Sequence, residues 1–113
     1  MAAPYVHIED LERTVEIPSN GILSRTVYSD ATVSVVVFGF DAGQELSEHT
    51  AARPALLHLL RGEARLTVGG DTVEGRAGTW IHLPAGLPHS VYATTPLVMQ
   101  LVLLPASQAE SPT

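Results

Sequence analysis

Cysteine is absent from this sequence of 113 residues, which excludes a disulfide framework, a cysteine nucleophile and any thiolate–metal site. Lysine is absent too. The six basic residues are all arginines (Arg13, Arg25, Arg53, Arg61, Arg65 and Arg76), scattered singly in a chain of net charge −6. Replacing phosphate counterions takes a clustered basic face, so neither nucleic acid nor an anionic membrane surface is an expected partner. Long apolar runs are also missing: residues 33–38 and 97–104 are the longest, far short of a bilayer span. No charged segment leads into an apolar stretch at the N-terminus, so no secretory leader is expected, and a cytoplasmic location fits the missing cysteines. There is no Ser-His-Asp arrangement, no glycine-rich phosphate loop and no Cys/His finger.

What is present is a hydrophobic fraction of 45%, enough for one core in one domain. Short runs rich in Val, Thr, Ile, Tyr and Phe alternate with turn signals. The runs are residues 5–8, 23–28, 32–40, 55–61, 64–68, 71–74, 79–83, 89–93 and 97–104, and only residues 9–16 suit a helical turn. Val68-Gly69-Gly70-Asp71 is the clearest hairpin, because paired glycines accept the positive φ of a tight primed turn. About nine strands in so short a chain predict an all-β sandwich or closed barrel, since closure removes exposed edges. Residues 1–22 read as an N-terminal strand and extension, 23–104 as the barrel, and 105–113 as a small polar tail expected to fray. Residues 33–38 and 97–104 are apolar on nearly every position, the pattern of strands buried on both faces, so a second sheet or the partner in a homodimer is expected to cover their outer side.

Two segments carry a resemblance. Gly78, Pro84, Gly86 and His89 stand at spacings of five, one and two intervening residues, with Ala93 three residues further on. Upstream, Gly43, His49, Ala51, Ala55 and Gly62 stand at spacings of five, one, three and six. Together these resemble the paired motifs of the cupin superfamily across residues 23–104, with Ala93 replacing a terminal Asn. The wording from Phe40 to Ala51, then Gly62-Glu63-Ala64, then Pro84 to Ser90 is similar to that of small single-domain bacterial cupins. The resemblance implies a double-stranded β-helix, or jelly-roll, barrel.

The resemblance also implies a metal site, and here the sequence departs from it. Metal-binding cupins carry a second His where Ala51 stands and a Glu where Ala55 stands, so only His49 and His89 remain at matched positions. Two imidazoles make a weak site, with the remaining coordination left to water or substrate. A divalent ion (Fe, Mn, Ni or Zn) is thus expected to be held weakly if at all, with His82 or Gln44 as the residues that could complete the set. Strand alternation places His58 on the face opposite Ala55, Leu57 and Leu59, as a packing or interface histidine. The two alanines also open space, which predicts a small-molecule pocket inside the barrel lined by His49, Ala51, Ala55, Leu57, His89 and Met99. Arg53 could steer a carboxylate, and Trp80 reads as a core or interface aromatic. The leading expectation is a small-molecule-binding cupin. Its alternatives are a metal-dependent oxygenase or isomerase, metal-free acid/base catalysis by the imidazole pair, and a non-catalytic sensor or storage role.

Overall fold

The structure, a computed structural model, describes residues 4–106. A single 3-10 turn, Leu11–Thr14, precedes nine strands: β1 (Ile22–Ser29), β2 (Ser34–Phe40), β3 (Glu45–His49), β4 (Ala55–Arg61), β5 (Glu63–Val68), β6 (Asp71–Arg76), β7 (Trp80–Leu83), β8 (His89–Ala93) and β9 (Leu97–Leu103). They form two antiparallel sheets, one ordered β1-β2-β9-β4-β7 and the other β3-β8-β5-β6. This is the all-β jelly roll expected from the turn spacing. The expected tail lies mostly outside the described residues.

Two elements differ from the sequence reading. Tyr5–Ile8 forms no strand. Its place in the count is taken by β3, whose sequence Glu-Leu-Ser-Glu-His has one apolar side chain. A strand at the edge of a sheet, half of it facing water, needs no apolar run.

The core lies between the sheets. Phe40, Leu59, Leu66, Leu83, Val91, Leu97 and Met99 are each no more than 1% exposed, and every one points inward by strand parity. Each such side chain contributes roughly 1.5–3 kcal/mol on leaving water. The glycine-turned corner between β4 and β5 closes one end: Gly62 has φ 90°, and a Cβ there would lie 2.1 Å from the Pro96 carbonyl oxygen.

A second, smaller cluster explains part of the two-sided apolar pattern of β2 and β9. Val37 and Val98 point outward, and Val15 covers them with help from Leu11, Ile17, Val27 and Leu60. The N-terminal segment therefore crosses the outside of the five-stranded sheet. It lies so close that a Cβ on Gly39 would meet the Glu16 carbonyl oxygen at 2.5 Å.

Candidate functional site

His89 opens β8 and shares parity with the buried Val91 and Ala93, so its ring faces the barrel interior, where it is 8% exposed. His49 closes β3. In an unbroken strand it would point away from the interior, because Leu46, three residues earlier, packs on the core. A bulge reverses this: Leu46 stands opposite Val91 and His49 opposite His89, so three steps on β3 match two on β8. The extra residue turns His49 inward. The rings meet edge to face with centroids 4.4 Å apart, the His49 ring on the exposed side and the His89 ring on the buried side.

Both imidazoles are held by the same local device. His49 Nδ1 lies 2.9 Å from the Ser47 carbonyl oxygen, and His89 Nδ1 lies 2.9 Å from the Leu87 carbonyl oxygen. A carbonyl only accepts, so each Nδ1–H donates, and in the neutral ring each Nε2 keeps its lone pair free. The backbone around them is fixed too. Gly86 N–H donates to the Ala51 carbonyl at 2.8 Å, tying the two motif loops together, and Gly69 N–H donates to the Pro88 carbonyl at 2.8 Å.

These two motifs, paired across β3 and β8, are those of a known family. The family model for the cupin domain matches residues 36–104. This chain belongs to the cupin family. A crystal structure of a conserved cupin-fold relative of unknown function from Streptococcus pyogenes is 31% identical, with a TM-score of 0.80 over 94% of this chain and 93% of that one. A cupin superfamily protein from Desulfitobacterium hafniense, 22% identical, shares the fold at a TM-score of 0.80 over 90% of this cupin and 94% of the other. Among curated proteins, an uncharacterized protein of Streptomyces coelicolor is 29% identical over 63 residues, 56% of this chain. This cupin spans 60% of that relative's length.

The remaining residues of the expected site are placed as follows. Ala51 is part-buried beside the pair, at the junction of the two motif loops. Ala55, Leu57 and Met99 are 4%, 2% and 1% exposed and belong to the core cluster. A void large enough for water would leave accessible surface on its lining, so Leu57 and Met99 are packed core. The accessible part of the expected pocket is the barrel mouth at His49, Ala51 and His89.

His82 does not join the pair. Its neighbour Leu83 is buried opposite Ala55, so alternation turns His82 to the outer face, where it is exposed. Gln44 precedes β3, and its backbone bonds to Ala93 at the far end of β8 from His89. Five residues of extended chain, about 16 Å, separate it from His49. Among the described residues no three His, Asp or Glu side chains gather around one point that could hold a metal ion. The residues present therefore do not make a resident centre of the usual cupin kind. His58 faces outward opposite Gln100 and Trp80, as alternation requires. Arg53 donates through Nε to the Leu104 carbonyl at 2.7 Å and through a terminal nitrogen to the Leu103 carbonyl at 3.2 Å. It clips the end of β9 in place.

Sequence reasoning missed the bulge. It read Glu48 and His49 as regular alternating neighbours, and nothing in Ser47-Glu48 marks an extra residue.

Proposed function

We propose that this cupin binds a small organic molecule at the open end of its barrel through the Nε2 atoms of His49 and His89. The observation that carries this reading is the contact pair itself: two rings side by side, each with Nδ1 committed to a carbonyl and Nε2 left as an acceptor. Two adjacent acceptors suit a ligand with hydroxyl or carboxylic acid protons to donate, and proton uptake by one ring would add charge assistance to a bound carboxylate. The exposed His49 ring gives access, while the buried His89 ring supplies the desolvated half of the contact, where a hydrogen bond is worth more.

A divalent ion, if taken up, would receive two nitrogen donors from the chain and the rest from solvent or ligand, so weak exchangeable binding is the expected behaviour.

Native mass spectrometry of protein purified without added metal tests this reading. A bound species of low mass is expected, lost in His49→Ala and His89→Ala and retained in His58→Ala. Long-range proton–nitrogen spectra of the histidine rings should show Nδ1–H tautomers at both positions. The reading is overturned if no species is bound and both rings are unmoved by a panel of small hydroxy acids, benzoic acids and phenols at millimolar concentration.

A further inference from the structure

The outer faces of the two sheets differ in kind. On the four-stranded sheet one row across the strands reads Glu45, Tyr92, Arg65, Glu74, with an Arg65–Glu74 ion pair at 3.0 Å, and the next reads Ser90, Thr67, Thr72. That is a face built for water. On the five-stranded sheet one row reads Tyr28, Val35, Val102, Leu56, His82, and the next ends in Gln100, His58, Trp80. None of these eight side chains is Asp, Glu, Arg or Lys. The N-terminal segment covers Val37 and Val98 and stops short of this region.

Three further observations fall on the same face. Trp80 is 58% exposed there. Tyr5 and Val6, 70% and 61% exposed, stand on the rim of a recess of about 640 Å3 whose opposite wall is Tyr28, Val35 and Gln100. The chain as a whole carries a net charge of −6, so two copies could approach closely only through a surface free of that charge.

We infer that a second copy of this chain covers the outer face of the five-stranded sheet, forming a two-fold symmetric dimer. A two-fold contact needs one patch that is its own complement, and this face carries both a protruding apolar edge, Tyr5–Val6, and a recess beside it. Strands spaced about 4.8 Å and rising about 3.3 Å per residue give the five-stranded face a flat footprint of roughly 500 Å2. Side-chain relief and the N-terminal segment enlarge it toward the roughly 800 Å2 per partner of a stable interface. The uncharged centre with aromatic residues at its edge matches the composition of interface cores.

The chain's single tryptophan lies on this face and reports on it directly. Sedimentation of the wild-type chain at about 50 µM should give twice its mass of 12.0 kDa, with Trp80 emission shifted to the blue and returning to the red on dilution. Leu56→Glu and Val102→Glu place like charges across the two-fold and should each give a folded monomer with solvent-like emission. Thr72→Glu on the other sheet should leave the dimer intact, and circular dichroism checks that each variant folds. A wild-type monomer at this concentration overturns the inference. So does a dimer with solvent-like Trp80 emission, a dimer that survives both face substitutions, or a face that takes up only a different protein.

Discussion

The four motif glycines allow the steric demand of one turn to be separated from its conformational demand. Gly43, Gly62, Gly78 and Gly86 have φ values of 85°, 90°, 99° and 82°, so alanine would suffer similar backbone strain at each. That strain is about 1–2 kcal/mol. Their surroundings differ. A Cβ on Gly43, Gly78 or Gly86 would meet nothing within 4 Å, whereas at Gly62 it would sit 2.1 Å from the Pro96 carbonyl oxygen and 3.0 Å from Leu97 Cα. Relieving that overlap means moving backbone by more than an ångström, and Leu97 is fully buried opposite Phe40 at the start of β9. Forced repacking of this kind adds about 1–3 kcal/mol. Gly62→Ala should therefore cost about 2–5 kcal/mol and Gly78→Ala about 1–2, against a total stability on the order of 5–15 kcal/mol. At roughly 4 °C per kcal/mol for a domain of this size, the Gly62 variant should melt about 4–12 °C below the Gly78 variant. Urea denaturation with matched m values gives the same comparison at 25 °C. Equal stabilities for the two variants, within 0.5 kcal/mol by that assay, would refute the packing argument at the β4–β5 corner.

Leu59 is fully buried and lies against Gly75, so Leu59→Ala should cost about 2–5 kcal/mol in urea melts, whereas the 46% exposed Leu23→Ala should cost well under 1. The Asp30 carboxylate accepts from the Tyr28 hydroxyl, from Thr32 N–H and hydroxyl, and from Val33 N–H, which holds its pKa well below the usual carboxylate range. A depressed native pKa stabilises the fold above the unfolded value of 3.8 and is lost as pH falls below it, so the melting-temperature gap between wild type and Asp30→Asn should be widest near pH 6 and close on acidification below pH 4. Ala51→His should raise Zn2+ affinity at least tenfold over wild type by equilibrium dialysis, since three imidazoles form a recognised zinc set; no gain would mean that the two Nε2 atoms do not converge.

The barrel was legible because its signals are local. Gly-Gly between Val68 and Asp71 forms the expected hairpin, and the apolar runs at residues 55–61 and 97–104 become strands within a residue of their expected ends. The polar edge strand β3 escaped because nothing apolar marks it, and Tyr5–Ile8 was misread because an apolar run also suits a segment lying across a sheet face. The facing of His82 became readable only once the register fixed Leu83 opposite Ala55. The depth of the pocket escaped for a different reason. Two alanines imply missing volume, but neighbouring side chains can fill it, and Leu57 and Met99 are packed into the core.

What the sequence does encode locally is the aim of each imidazole. In Ser47-Glu48-His49 and in Leu87-Pro88-His89 the ring is clasped by the carbonyl two residues upstream, a contact each segment makes with itself. Neither clasp depends on an ion or on the residues at Ala51 and Ala55. Loss of two ligands from the family pattern therefore need not scatter the two that remain. The bulge in β3 sets the separation, the paired carbonyls set the tautomer, and the Gly86–Ala51 and Gly69–Pro88 hydrogen bonds hold the frame. A site oriented by its own backbone in this way keeps two free nitrogen acceptors side by side whether or not a metal is present, and that independence is why ligand binding is the stronger reading than a resident metal centre.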